Sequence, residues 1–442
     1  MLTNTKLQWS PTRAPIAGSR YDDIWLINPT VAWSVNSDGH ILKTTDGGAS
    51  WDIKFKAQVT DSNNAVYLRC VSFANNLKGW VGTLTPDLRL YRTLDGGENW
   101  QAVENIPQKA PVAVCGLYAV NDLAIYASGT NFPSEVARMM KSVDGGETWT
   151  AWDMSQYASN LIDVYFPTPE RGWVVGGISD KENPRYEDLT PVVLYTEDGG
   201  QTWENRVKNL SFPQGEWGWK IHFLNNEIGF VSLENFKEAA ILKTTDGGQS
   251  WVRLPVQGNA NLEGVGFINE THGWVGGWGD ESFEKGTSSV TRDGGKTWEN
   301  ADEIGKFINR FRFLGNPVTV GYAAGQTVYK YSEAPVGTRS ETFAESFAPT
   351  RFLETVTPKE YERSIEIGYT LPQAASRVTI HMWNRFGKQV RKLIDEKDQS
   401  AGSKTVVWDG TDDEGKRLPS GIYIYRLTVD GEGESRAIYL QQ

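Results

Sequence analysis

Apolar residues fall in short runs separated by polar, glycine-rich turns through most of this chain, the pattern of many short strands. Two kinds of run alternate. In the first, a bulky residue precedes a tryptophan or its substitute by seven positions, usually within Gly-Trp-Val. Copies span 24–33, 71–80, 116–125, 164–173, 221–230, 265–274 and 311–320, with Leu26, Phe73, Tyr118, Phe166, Phe223, Phe267 and Phe313 as the bulky residues. In the second, a strand-like run such as 40–43, 90–92 or 192–195 leads into Ser/Thr-x-Asp-Gly-Gly-x-x-Trp. That box occupies 44–51, 93–100, 142–149, 196–203, 244–251 and 291–298.

The box aspartates Asp46, Asp95, Asp144, Asp198, Asp246 and Asp293 are separated by 49, 49, 54, 48 and 47 residues. A near-constant period in this range marks a propeller or solenoid. Asp-Gly-Gly is turn chemistry: glycine reaches positive φ without steric cost, and the carboxylate accepts hydrogen bonds from amides of its own turn. Trp51, Trp100, Trp149, Trp203, Trp251 and Trp298 then open the next strand and bury an indole. The box aspartates lie one to a blade, so they read as structural groups and cannot converge on a metal or a substrate.

Seven copies of the first run and six boxes predict seven four-stranded blades, a to d, the last without its box. That blade offers three strands, at 308–314, 318–324 and 327–331, and segment 5–9 is expected to supply the fourth and close the ring. Closure removes exposed sheet edges. The a–b and c–d turns share one face. The b–c and d–a loops share the other and are long and varied: 58–66, 129–136, 178–189, 208–216 and 278–286. Variable loops on a rigid scaffold carry function, so the working face is expected opposite the boxes. Residues 334–360 read as a linker, and strand-like runs resume at 365–369, 377–383, 405–408, 422–429 and 435–440. The expected fold is all-β: a seven-bladed β-propeller over 1–333, then a small immunoglobulin-like β-sandwich over 361–442.

Composition narrows the function. A net charge of −11 and a pI near 5.1 argue against nucleic acid as a partner. Two cysteines and four histidines leave no ligand set for zinc or an iron–sulfur cluster, and no cofactor is expected. No apolar run is long enough to form a transmembrane segment, and 1–6 lacks the apolar core of a signal peptide.

The start of strand a directs polar side chains to the central channel. Arg20, Asp23, Arg69, Asp163, Lys220, His222, Arg310 and Arg312 are the candidate binding residues at its mouth. The competing reading is a water-filled channel with solvated side chains and internal ion pairs. Asp23 and Asp163 are the pair of carboxylates a glycosidase would need, but nothing in their local sequence marks them. Phe132, Tyr186, Trp217, Trp219, Trp278 and Phe283 are candidate platforms on the loops, or caps on the blades. Cys70 and Cys115 share a register in neighbouring blades, which leaves a disulfide open.

The box resembles the Asp-box, or BNR, repeat. In the form Lys-Thr-Thr-Asp-Gly-Gly-x-Ser-Trp at 43–51 and 243–251, with Gly-Trp-Val-Gly at 79–82 and 273–276, it is similar to the photosystem II assembly/stability factor family. That resemblance implies a seven-bladed, non-enzymatic assembly scaffold with a protein partner. Sialidases, sortilin-type receptors and xyloglucan-active endoglucanases carry similar boxes, so a glycan-binding or glycoside-hydrolysing site at the channel mouth is the alternative. An Arg-Ile-Pro-like segment of the sialidase kind is absent near the N-terminus. Residues 384–388 (Asn-Arg-Phe-Gly-Lys), 401–402, 407–412 (Val-Trp-Asp-Gly-Thr-Asp), Gly415 and 419–423 (Pro-Ser-Gly-Ile-Tyr) resemble a FlgD-like immunoglobulin domain and the sorting domain of type IX secretion cargo. This implies contact with outer-membrane secretion machinery and a secreted or bacterial cell-surface location. The terminal residues Leu440-Gln441-Gln442 differ from the basic end such signals often carry.

Overall fold

The computed structural model describes residues 7–58, 66–279, 287–333, 352–353, 357–359, 364–384, 389–430 and 432–440. Phe283, the motif residues 385–388 and nearly all of the linker expected at 334–360 lie outside them. The chain divides into two compact units, Met1–Thr338 and Arg339–Gln442.

The first unit is a ring of seven four-stranded antiparallel sheets. Blade one shows the plan: strand a Tyr21–Leu26, b Ala32–Asn36, c His40–Thr44 and d Asp52–Lys56. In the later blades strand a is Leu68–Phe73, Val114–Ala119, Asn160–Tyr165, Trp217–Phe223, Leu262–Phe267 and Arg310–Leu314. In the seventh blade, Gln8–Pro11 lies beside Val328–Ser332 with Gln8 opposite Ser332 and Pro11 opposite Tyr329. The first strand therefore closes the ring. Trp9 anchors it, with ring centroids 5.5 Å from Trp274, 5.7 Å from Phe311 and 5.3 Å from Tyr331.

The bulky residue and the glycine of Gly-Trp-Val are one packing device. A Cβ on Gly79 would fall 2.4 Å from the Phe73 ring, so the ring lies directly on the glycine opposite it. Blade three inverts the pair. There Ala119 stands opposite Ile125, small where the others are large and large where they are small. The register read from sequence is accordingly one residue off in this blade. Tyr126, not Ile125, is the tryptophan equivalent, and Tyr118 occupies the channel-facing place of Ser72. In blade seven the equivalent is Tyr322 rather than Val320, because Arg312 pairs with Tyr322 as Ser72 does with Trp80.

Each box is pinned as its chemistry demands. Thr44 Oγ1 donates to Asp46 Oδ1 at 2.9 Å, Gly48 N donates to Thr44 Oγ1 at 2.8 Å, and Ser50 N donates to Asp46 Oδ1 at 2.9 Å. The same three bonds recur around Asp95, Asp144, Asp198, Asp246 and Asp293. Trp100, Trp149, Trp203 and Trp251 are buried beside their turns, and Trp51 and Trp298 half-buried. The boxes also join blades. Lys43 Nζ donates to Gly96 O at 3.1 Å, and Lys330 Nζ of blade seven donates to Gly47 O of blade one at 2.8 Å.

The second unit pairs a sheet of Thr357–Lys359, Ser364–Leu371 and Gly402–Trp408 with one of Gln389–Gln399, Ala375–Asn384, Gly421–Val429 and Glu432–Leu440. Ile367, Val378, Ile380, Met382, Trp408, Tyr425 and Leu427 fill its core. Strand Gln389–Gln399 was not expected. It is an edge strand dense in charge, and charge on an edge discourages pairing with other chains while hiding the alternation that betrays a strand.

Candidate functional site

Strand a carries a β-bulge in blades one to six, between Tyr21 and Asp23, Leu68 and Cys70, Val114 and Gly116, Leu161 and Asp163, Gly218 and Ile221, and Leu262 and Gly264. A bulge re-aims a side chain that alternation would point elsewhere. Here it presents Asp22, Arg69, Trp219 and Glu263 to the channel axis, beside the expected residues.

The loop end of the channel is therefore filled by a layer that alternation does not reveal. Asp22 Oδ1 accepts from Arg20 Nε at 3.0 Å, from Asn309 Nδ2 at 3.0 Å and from Arg69 Nη1. Arg20 Nη1 also pairs with Glu263, whose other oxygen accepts from Trp278 Nε1 at 3.0 Å. Trp219 Nε1 donates to Asn309 Oδ1 at 2.7 Å. The Arg20 and Arg69 guanidiniums stack over Trp278 and Trp219 at 4.7 and 4.9 Å.

The second layer has Arg310 at its centre. Arg310 Nε lies 2.9 Å from Asp23 Oδ1, and its Nη1 and Nη2 lie 2.9 and 2.7 Å from the two oxygens of Asp163. One guanidinium thus ties blades seven, one and four. The second oxygens of Asp23 and Asp163 accept from the backbone N–H groups of Val71 and Ile221. Burial alone would raise the Asp163 pKa, but Arg310 and then Lys220 outweigh it and hold the carboxyl at about 2. Among the described residues Lys220 Nζ has no hydrogen-bond partner; burial, then Arg310, brings its ammonium down to about 8.

These distances show the internal ion pairs of the competing reading but not its solvated side chains. Arg20, Asp22, Asp23, Arg69, Asp163, Lys220 and Glu263 are each no more than 1% exposed and Arg310 is 5% exposed. A charge buried this deeply survives only when paired and hydrogen-bonded, so the mouth is a plug of ion pairs. Of the eight candidates, only His222 and Arg312 are half-buried rather than buried, and both lie nearer the box end. Phe132, Tyr186, Trp217, Trp219 and Trp278 are buried and do not form an exposed platform; Trp219 and Trp278 belong to the channel layer, under Arg69 and Arg20. Both cysteines are free thiols. Cys115 sits on the bulge, whereas Gly116 holds the place that Cys70 holds in blade two. Their sulfurs accordingly lie in different packing clusters.

A third layer occupies the box end: Trp25, Tyr118, Tyr165, His222 and Arg312, all half-buried. Trp25 and Tyr118 stand 5.8 Å apart, Tyr118 and Tyr165 5.3 Å, and Arg312 lies over the Trp25 ring at 4.7 Å. Burial lowers the His222 pKa to about 4 even though its Nε2 meets Phe267 O at 3.0 Å, so the imidazole is neutral at pH 7. Among the described residues, no group of three or more His, Cys, Asp or Glu could hold a metal ion, and no helix is long and apolar enough to cross a membrane.

Comparison with known proteins agrees with this architecture. Residues 2–121 match the family model described as photosynthesis system II assembly factor YCF48, and residues 354–433 match that of the FlgD Ig-like domain. The photosystem II assembly lipoprotein Ycf48 of Synechococcus sp. (strain CC9902) is 24% identical over 296 residues, 64% of this chain and 75% of that protein. The chloroplastic photosystem II stability/assembly factor HCF136 of Arabidopsis thaliana is 29% identical over 161 residues, 34% of each chain. Among solved structures, YCF48 bound to D1 peptide superposes with a TM-score of 0.52 at 18% identity, covering 74% of this chain and 96% of that one. The Niastella koreensis GH74 enzyme gives 0.53 at 12% identity, covering 97% and 73%. At such identities these structures establish the fold alone. The repeat, the closed ring and the matched models together make the first unit a BNR propeller like those of the Ycf48 photosystem II assembly factors, and the second a FlgD Ig-like domain.

Proposed function

We propose that this protein is a non-catalytic propeller that binds a polypeptide partner and serves as an assembly scaffold outside the cell, with the C-terminal domain engaging outer-membrane secretion machinery. The observation that carries the reading is the state of the channel carboxylates. Asp23 and Asp163, the pair a glycosidase would need, are buried on one arginine, and Asp163 is held ionised far below neutral pH. Neither is placed to give a proton to a leaving group or to reach a sugar. A propeller of this fold has been seen with a D1 peptide, which supports a polypeptide ligand over a saccharide. The loop face remains the proposed partner surface, through loops 129–136, 178–189 and 208–216 rather than through the buried aromatics.

Affinity capture with the full chain, followed by loop substitutions in 178–189, tests this reading. Partner capture abolished by the loop changes supports it. Turnover of a fluorogenic glycoside panel, lost on Asp163→Asn, would replace it with the glycoside-hydrolysing reading.

A further inference from the structure

The two inner layers of the channel are closed to solvent, with their carboxylates held in ion pairs, whereas the third is half-buried. The Arg312 side chain is 23% exposed, and its nearest carboxylate oxygen, Asp23 Oδ1, is 3.8 Å away. That oxygen is already engaged by Arg310 Nε at 2.9 Å and by Ile24 N at 2.9 Å. Arg312 Nε reaches only Ile24 O, at 3.3 Å. The outer edge of the guanidinium is therefore uncommitted. The hydroxyls of Tyr118 and Tyr165 make no hydrogen bond to protein among the described residues, and both tyrosines feel the field of Arg312. Three groups able to donate hydrogen bonds, from blades three, four and seven, thus lie around the box-side mouth beside Trp25, with no carboxylate in direct hydrogen-bond reach of Arg312. An arginine merely stacked on a surface tryptophan would not bring two unpartnered phenols with it.

The donor set fits a particular ligand. One guanidinium and two O–H groups match a planar carboxylate, whose two oxygens accept several bonds at once. A phosphate dianion calls for more positive charge, and His222 is neutral at pH 7. The same face carries the exposed apolar residues Leu77 (57%), Leu94 (47%), Leu123 (57%) and Val143 (64%), on the a–b and box turns of blades two and three. Gly96 N to Leu77 O and Gly145 N to Leu123 O bind each pair of turns together, and Asn75 bonds Asp122 across the two blades. The matching turn positions elsewhere are Thr30, Glu170, Glu227 and Thr271, with Thr45, Glu197, Thr245 and Arg292 in the boxes. A site for an anion on the same face as an apolar patch suits a peptide better than a sugar chain.

We propose that the box-side mouth of the central channel, formed by Arg312, Tyr118, Tyr165 and Trp25, binds a carboxylate presented by a polypeptide whose neighbouring apolar side chains rest on Leu77, Leu94, Leu123 and Val143. The proposal rests on the scaffold reading and adds a second contact surface, opposite the variable loops.

Calorimetric titration of the full chain with three leucine-rich tripeptides tests it. All are acetylated: one ends in a free carboxylate, one is its amide, and one is amidated with a central glutamate. Binding by either carboxylate-bearing peptide and not by the plain amide is expected, the free-end peptide indicating a chain terminus and the glutamate peptide a side chain. Affinity should fall about tenfold or more in Arg312→Gln and several-fold in Tyr118→Phe, as loss of charged and neutral hydrogen bonds implies. Tyr118→Phe keeps the ring packing and guards against a folding artefact in the arginine variant. No binding by any of the three peptides, equal binding of the plain amide, or binding unchanged in Arg312→Gln would overturn the site. A natural partner captured equally by wild type and Arg312→Gln would leave the scaffold reading standing and remove this surface from it.

Discussion

Arg310 and Asp163 meet across the centre of the ring in a two-pronged pair, 2.7 and 2.9 Å long, that joins the seventh blade to the fourth. Asp23 of blade one completes the arrangement. Removing one partner of a buried ion pair strands the other, which costs about 3–5 kcal/mol. Arg310→Met should therefore lower the urea midpoint sharply, with circular dichroism as the readout. Asp23→Asn and Asp163→Asn added to Arg310→Met should recover part of the loss, because the stranded charges disappear. Additive losses in the triple variant would contradict the coupling.

Acid should unfold the propeller through its carboxylates. Asp163 titrates at about 2 in the fold, against about 3.9 for a free aspartate. A depressed folded pKa stabilises above the unfolded value, and that contribution disappears as pH falls from about 4 toward 2. Asp95, Asp144, Asp198 and Asp293 also lie at about 2, held by bonds from their own box residues, and act with the same sign. Thermal melts followed from pH 6 to pH 2 should show the melting temperature falling mainly below pH 4.

Lys220 should act in the opposite sense. Its folded pKa of about 8 lies below the ordinary lysine value of about 10.4. Between these pH values the unfolded chain binds the extra proton, so stability gained from this group rises with pH. At pH 7 the unpartnered ammonium is a cost, and Lys220→Met should stabilise the fold by on the order of 1–3 kcal/mol. The difference between variant and wild type, measured by urea denaturation, should shrink from pH 8 to pH 10.

Gly97 and Gly258 separate two kinds of strain. Both have positive φ, +82° and +75°, but a Cβ on Gly97 would sit 2.0 Å from the Trp33 ring, whereas one on Gly258 meets nothing within 4 Å. Gly258→Ala should cost about 1 kcal/mol, the backbone price alone. Gly97→Ala should cost about 2–4 kcal/mol more, because it also parts the second box from the tryptophan of the first blade. Equal losses on denaturation would show that the box does not clamp its neighbour.

The closing strand should be worth more than its length suggests. Trp9 is held among Trp274, Phe311, Phe313 and Tyr331, and Trp9→Ala should cost about 3–5 kcal/mol. Denaturation monitored by far-ultraviolet circular dichroism would measure it.

The fold was legible because repetition amplifies a weak signal. No single box proves a blade, but six at a nearly constant spacing do. The channel was less legible, for two physical reasons. A bulge breaks the alternation from which inward and outward faces are read, so Asp22 and Glu263 went unnoticed although Asp23 and Asp163 were identified. Blade three exchanges the large and small members of a packing pair, which moved Tyr118 onto the wrong face. Burial was not readable at all. Arg20, Lys220 and Arg310 look like surface residues in sequence, and only the convergence of seven blades encloses them.

Pairing Gln8–Pro11 with Val328–Ser332 also sets an order of events. During synthesis residues 8–11 must wait until the last blade has emerged from the ribosome before they find their sheet. Until then the nascent propeller is a horseshoe with a bare β-edge at each tip. A transport or chaperone system that engages such a chain before residues 328–332 are free to pair meets an open form, and completion of the circle is the step that ends that opportunity.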